Sequence, residues 1–364
     1  MNDSEATPQK CVPTGLGFWT AFESAIDAGP KSADLRVAIE RCVTAGATWV
    51  ALRAGAGGAN DASLNDESIA AFEAADIDVY VWIFAYRNTS AIEIEHYRRW
   101  FVAGAKGAII NAEFPFESAT ADDARALVAG IRYAWIEAQA ERKMRGLPVV
   151  AAEAFVAHAP PDYLGAGVGH ALRDELVALD ECCDSIMPQV YAFEHDDSGH
   201  RHHVDNVMRG YRRRGYDIDR VWCVGCTYRP KTRGEERTGE VDANGKPKMR
   251  PKPTPPMADE AQRVADDVID FLKHPDVAGC QAPSLYSLDA ISWINGPRDR
   301  VMSALAANRQ PHPSDAPDTQ PETPPAIRRS SYPRLHAVTP LRAGEGEHTP
   351  ITTESEKDEP PEAA

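Results

Sequence analysis

The sequence predicts an α/β fold, a (β/α)8 TIM barrel with a disordered Pro-rich C-terminal tail. Apolar, β-rich runs alternate with stretches of helical spacing eight times over about 300 residues. Strict alternation implies parallel strands joined by crossover helices, and eight such units close a barrel. A doubly wound open sheet is the weaker alternative, because no Gly-rich phosphate loop follows the first run, Leu16-Gly-Phe-Trp-Thr20.

The units follow in order. Residues 1–14 read as a flexible polar leader, and 15–309 as the barrel. After the first strand, Ser32 to Ala45 has helical spacing through Leu35, Ala38, Ile39 and Cys42. Thr48 to Arg53 is the second strand, followed by a helix near Asp66 to Ala74. Ile77 to Tyr86 is the third strand, and Ser90 caps a helix to about Ala103. Ala105 to Glu117 holds the fourth, a buried apolar run bounded by small residues and Pro115. A long helix, Thr120 to Arg145, carries Leu127, Ile131 and Trp135 on one stripe. Leu147 to Phe155 is read as strand five, with a helix near Gly169 to Leu179 after it. Asp184 to Tyr191 is strand six, then Val204 to Arg214 is helical and Val221 to Cys226 is strand seven. Ala258 to Lys273 is helical, Val277 to Tyr286 is strand eight, and Pro297 to Ala307 closes the count.

Composition excludes several classes. The formal charge of -16 argues against a nucleic-acid binder, which needs a basic face. No apolar span is long enough for a transmembrane helix. The start, Met1-Asn-Asp-Ser-Glu, lacks the basic and apolar regions of a signal peptide. Synthesis in the cytoplasm is expected, with any delivery outside left to lysis, a holin or a secretion or injection machine. Seven cysteines, mostly inside apolar runs, suit buried thiols better than disulfides. Cys223-Val-Gly-Cys226 has no second CxxC pair and lies in an apparent strand, so it reads as structural. Residues 310–364, rich in Pro, Asp, Thr and Glu, form the tail. Its basic middle, Ile327 to His336, reads as a solvated linker, with docking to the barrel or a partner as the alternative.

Candidate chemistry gathers at the strand ends, where barrels place function. Ile109, Asn111 and Glu113 share one strand face. A carboxylate and an amide ending a buried strand need partners or a task. Strand two delivers Arg53, and strand three the same-face pair Trp82 and Tyr86. Strand five delivers Glu153, and strand six Gln189 and Tyr191. In strand eight Gln281 and Tyr286 lie on opposite faces, so only one points inward. Rings stack on pyranose faces, amides bond hydroxyls, and a carboxylic acid protonates a leaving oxygen. Glu113 is therefore expected as acid/base, and Arg53, Trp82, Tyr86, Gln189 and Tyr286 as substrate contacts. The bland readings are a salt-bridged core carboxylate at Glu113 and packing roles for Trp82 and Tyr86.

Two segments carry this resemblance, Ala103-Gly-Ala-Lys-Gly-Ala-Ile-Ile-Asn-Ala-Glu113 and Pro188-Gln-Val-Tyr191. The chain resembles bacterial and phage glycoside hydrolase-like barrels related to the family 25 lysozymes, over most of residues 15–300. Asn111 stands where that group has Asp. An Asn-x-Glu fourth strand resembles family 85 endo-β-N-acetylglucosaminidases, and the strand-six pattern resembles family 18 chitinases. Both use the substrate's N-acetyl group as nucleophile. The resemblance implies that Asn111 orients the acetamide, Glu113 is the acid/base and Tyr191 bonds the acetamide oxygen. Otherwise Glu153 must be the second carboxylate. The implied substrate is a β-linked N-acetylhexosamine polymer, peptidoglycan or chitin-like, and no cofactor is implied. The alternative is a non-catalytic barrel that binds glycan or a partner.

Two loops remain. His195 to His203 clusters His and Asp, which suits a divalent ion, but lacks HxxxH or HExxH spacing, so no metal is expected. Metal-assisted hydrolysis or deacetylation is the weakest reading. Thr227 to Met257 is long and rich in Lys, Arg and Pro, with a turn near Ala243-Asn-Gly-Lys246. It reads as a lid that attracts an anionic polymer.

Overall fold

The computed structural model describes residues 10–20, 32–57, 59–60, 66–113, 116, 119–160, 173–191, 200–228, 232–241, 247–253, 259–288 and 299–308. Eight parallel strands make the barrel: β1 (Gly17–Thr20), β2 (Trp49–Ala56), β4 (Asp78–Phe84), β5 (Gly107–Asn111), β6 (Phe155–His158), β7 (Ser185–Ile186), β8 (Val224–Cys226) and β11 (Ser284–Tyr286). The two-residue β3 (Ala59–Asn60) folds back on β2. The hairpin β9 (Thr232–Val241) and β10 (Pro247–Pro253) is a separate antiparallel pair.

Strand order is β7-β6-β5-β4-β2-β1-β11-β8, so each barrel strand pairs with its neighbour in sequence. Single parallel bridges, Ile186 to Val221 and Gln189 to Val224, join the two ends of that path. The ring is thereby closed, and the expected (β/α)8 barrel is present.

The helices are α1 (Ser32–Ala45), α2 (Asp66–Glu73), α3 (Ser90–Ala103), α4 (Ala121–Met144), α5 (Asp174–Cys182), α6 (His200–Arg213), α7 (Glu260–Lys273), the single turn α8 (Pro275–Ala278) and α9 (Asp299–Ala307). Local chemistry fixes their starts. Thr120 and Asp123 exchange side chain-to-backbone hydrogen bonds and cap α4. At α3 the N-cap position falls on Thr89 rather than the expected Ser90, after a 3-10 turn at Arg87–Thr89, and the Thr89 hydroxyl donates to Glu93 Oε1 instead of capping a backbone N–H.

Strand alternation sorts side chains into two layers. Phe18, Val50, Leu52, Val79, Val81, Ile83, Ile110 and Val156 point out and pack under the helices. Trp49, Tyr80, Phe155 and Trp222 point in and plug the lower barrel, with Phe155 stacked on Trp222 at 5.5 Å. Gly17 makes room for this plug, since a Cβ there would lie 2.0 Å from the Trp49 ring.

Three expectations need correction. Strand five is Phe155–His158, not the Leu147 to Phe155 run, whose Leu147 and Val149 are exposed. Strand eight starts only at Ser284, because Pro275–Ala278 is helical. The long basic loop holds a β-hairpin; its turn, residues 242–246, lies outside the described residues. Residues 10 and 11, expected within the leader, are pinned to the barrel's lower end. Cys11 N–H donates to the Glu153 carbonyl at 2.9 Å, and the Tyr80 hydroxyl donates to the Cys11 carbonyl at 2.8 Å.

The chain divides into Met1–Pro317, which holds the barrel, and Asp318–Ala364, which lies outside the described residues together with the Ile327 to His336 segment. No helix among the described residues is long and apolar enough to cross a membrane.

Candidate active site

The site is assembled at the C-terminal end of the barrel by one amide. Gln189 follows β7, where its backbone N–H donates to the Pro160 carbonyl at 2.9 Å. Its side-chain Nε2 donates to Asn111 Oδ1 at 2.8 Å, to Glu113 Oε1 at 3.1 Å and to the Ala159 carbonyl at 3.1 Å. An amide NH2 has two hydrogens, so three acceptors share two protons. Asn111 is buried, whereas Glu113 keeps partial exposure just past the strand. Asn111, Glu113 and Gln189 thus meet, with both β5 groups on the inward face.

Aromatic rings form the adjoining wall. Tyr191 stacks on Tyr286 at 5.4 Å and 21°. Tyr286 meets Trp82 edge-on at 6.5 Å and Tyr228 at 6.2 Å. Trp82 leans on Trp19 at 5.9 Å, and the Arg53 guanidinium lies over the Trp82 ring at 5.7 Å. Tyr286 is therefore the inward residue of strand eight, while Gln281 is exposed before the strand begins. Trp82 is only 5% exposed and its indole N–H donates to the Thr20 carbonyl at 3.3 Å. It forms a floor rather than an open platform. Tyr86 is exposed at the rim, packed on Phe84 at 5.9 Å.

Tyr86 is held from below. Glu93 Oε1 accepts from the Tyr86 N–H at 2.8 Å and from the Thr89 hydroxyl at 2.7 Å. Burial raises the Glu93 pKa above the usual carboxylate value, and those two hydrogen bonds oppose the rise.

Glu153 does not join the site. It is exposed, two residues before β6, and bridges Lys10 at the barrel's lower end. In the β5–β6 register Gly107 pairs with Phe155, so Glu153 and Glu113 are offset by eight residues, roughly 25 Å along the strands. That separation is several times what a two-carboxylate glycosidase spans.

Sequence reasoning missed a buried polar cluster next to Ala159. His158, fully buried on the outer face of β6, contacts Asp180 of α5 through Nδ1 at 3.0 Å. The Tyr216 hydroxyl donates to the other Asp180 oxygen at 2.9 Å. Ala159, whose carbonyl receives the Gln189 amide, is the next residue. The available signal was a polar His at the end of Ala154-Phe-Val-Ala-His158.

The remaining candidates are structural or undescribed. Cys223 and Cys226 are buried and not disulfide-bonded. Burial pushes the Cys280 thiol up to about 12 and that of Cys223 further still. Residues 195–199 of the His-rich loop lie outside the described residues, and His200 to His203 open α6. Among the described residues no group of three or more His, Cys, Asp or Glu could hold a metal.

No family profile matches the sequence, and no curated protein does. Solved structures do match. A family GH18 chitinase from Cycas revoluta, in complex with allosamidin, is similar at 9% identity and a TM-score of 0.51, over 81% of this chain and 99% of that one. The glycoside hydrolase domain of PgaB (BpsB) from Bordetella bronchiseptica is similar at 12% identity and a TM-score of 0.51, over 82% and 99%. This chain is a glycoside hydrolase-like TIM barrel in fold. At these identities the likeness speaks for architecture, and the site must be argued from its own residues.

Proposed function

We propose that the protein is a glycosidase that cleaves a β-linked N-acetylhexosamine polymer with help from the substrate's acetamide. The observation that carries this is the Gln189 amide, which ties Asn111 and Glu113 together beside the Tyr191–Tyr286 stack. With Glu153 at the far end of the barrel, the chemistry needs a nucleophile other than a second carboxylate from strand five. The acetamide carbonyl of the bound sugar fills that role. Glycan processing by the two structural relatives fits the same substrate class.

In this reading the Glu113 carboxylic acid gives its proton to the glycosidic oxygen as the bond to the leaving sugar breaks. The acetamide oxygen closes on the anomeric carbon, and the resulting ring is opened by water. Glu113, now a carboxylate, takes the water proton and returns to its starting state. Asn111 and Tyr191 hold the acetamide in its attacking orientation. The Gln189 amide keeps Asn111 and Glu113 in register by giving hydrogen bonds to both.

The test is release of reducing ends from soluble β-1,4 N-acetylglucosamine oligosaccharides and from peptidoglycan glycan strands. Turnover is expected from the full chain. Firm retention of either glycan with no product by mass spectrometry would instead establish a binding barrel.

A further inference from the structure

We propose that the outward face of α4 is a self-association surface, on which a second copy of this chain docks antiparallel about a twofold axis at Tyr133. A surface helix ordinarily turns its most polar positions to solvent. α4 does the reverse along one line. Leu127, Ile131 and Trp135 are buried on its inner stripe. On the opposite side, at about 3.6 residues per turn, fall Ala126, Ala129, Tyr133, Ile136, Ala140 and Met144, all of them exposed. Tyr133 is 62%, Ile136 64% and Met144 81% exposed. Among the described residues, five of the nine large apolar side chains left in solvent lie on α4 or at Leu147 and Val149 just past it. Apolar residues scattered singly need no explanation, but a contiguous patch marks a contact.

The spacing fits a second copy of the same helix. Ala126 to Ala140 advances in steps of three, four, three and four, the repeat by which two helices interlock along a seam. The alanines let the two axes approach, and Tyr133 and Ile136 fill the space between them. A twofold pair needs a surface complementary to itself. This stripe meets that need. With the axis at Tyr133, the two Tyr133 rings meet, Ala126 lies against the partner's Ala140, and Ala129 falls beside the partner's Ile136.

Charge sets the direction. The stripe is bracketed by Asp122 at one end and Lys143 at the other. The Asp122 side chain is 96% exposed, and Arg125 is turned onto it at 3.1 Å and towards Glu181 at 3.8 Å. Glu137 lies at the stripe's margin. An antiparallel pair sets Asp122 near the partner's Lys143 at both ends and opposes the two helix dipoles. A parallel pair would set like charges together. The seam from Ala126 to Met144 runs roughly 27 Å at about 1.5 Å per residue. One helix wide, it gives a contact at the small end of specific interfaces, below about 1,200 Å² in total, which suits reversible micromolar association. As the crossover between parallel strands, α4 runs opposite to β5, so the two barrel mouths face opposite ways and stay uncovered. The proposal therefore stands apart from the glycan-cleaving reading.

The experiment is sedimentation velocity on the full-length chain across roughly 1 to 200 µM. Monomer is expected at the low end and dimer at the high end. Tyr133→Glu and Ile136→Glu should each weaken association by about tenfold or more. Both positions face solvent in the monomer, so melting measured at the low end should match wild type, which reports that the variants fold. Cysteine cross-linking reads the geometry, with oxidised wild type as the background for the native thiols. Tyr133→Cys should form a covalent dimer by itself. Ala126→Cys should not, but should do so when mixed with Ala140→Cys. A monomer at every concentration would mean that the stripe serves some other occupant, and overturns the proposal. So does a dimer that both Glu variants leave intact, or an Ala126→Cys chain that cross-links to itself.

Discussion

At the residue scale the site depends on one amide shared among acceptors. Gln189 links the β5 pair to the carbonyl at the end of β6 through bonds of 2.8 to 3.1 Å. A hydrogen bond to an ionisable group is worth about 1.5–3 kcal/mol. Gln189→Met keeps the volume and removes the donor. It is expected to lower kcat by about 10- to 100-fold, with a smaller change in KM and little change in melting temperature. Steady-state kinetics on an oligosaccharide check this. An unchanged kcat would mean that Asn111 and Glu113 are positioned by other groups. Strand parity put Asn111, Glu113, Gln189 and Tyr191 on inward faces, and the structure brings Asn111, Glu113 and Gln189 together there. Sequence reasoning misplaced Glu153. The alanines around that residue looked like buried strand, but the pairing strand starts two residues later, at Phe155.

At the element scale, the turn after β4 shows how the rim is held. Glu93 reaches back from α3 to the Tyr86 N–H and the Thr89 hydroxyl, and its raised pKa reflects the cost of burying its charge. The sign follows. A carboxyl that holds its proton more tightly when folded stabilises the fold below its unfolded pKa. That contribution fades as pH rises through the folded value. Glu93→Gln should therefore gain stability relative to wild type between pH 4 and pH 7. Paired thermal melts across that range give the answer, and a difference that shrinks with rising pH would contradict it. Periodicity revealed α1 to its exact ends and α4 within a residue or two, because each buries a regular stripe. It failed for β6, where the buried polar His158 interrupts the apolar signal and is tolerated only through Asp180. The hairpin was equally hidden, since its strands are charged and Pro-rich rather than alternately apolar.

At the scale of the whole molecule, the barrel is closed unevenly. β2 and β4 pair at seven positions, whereas β7 and β8 are joined by two single bridges. The backbone bonds of that seam, such as Val190 N–H to the Val224 carbonyl at 2.7 Å, should open first. Hydrogen exchange is expected to reach Val190, Trp222 and Val224 well before Val79 to Ile83. Uniform protection around the ring would show that the seam is no weaker. The eightfold alternation made the closed barrel legible, but the location of the seam depends on very short strands that no periodicity marks. The central claim is that Glu113 donates the proton to the leaving group at the mouth of this barrel. It is tested most directly by comparing Glu113→Gln with wild type on two substrates, an N-acetylglucosamine oligosaccharide and an aryl glycoside whose acidic phenol needs no proton to depart. The account predicts a loss of about 10²- to 10⁴-fold on the oligosaccharide and a far smaller loss on the aryl glycoside. Equal losses on both, or no loss on either, would contradict it.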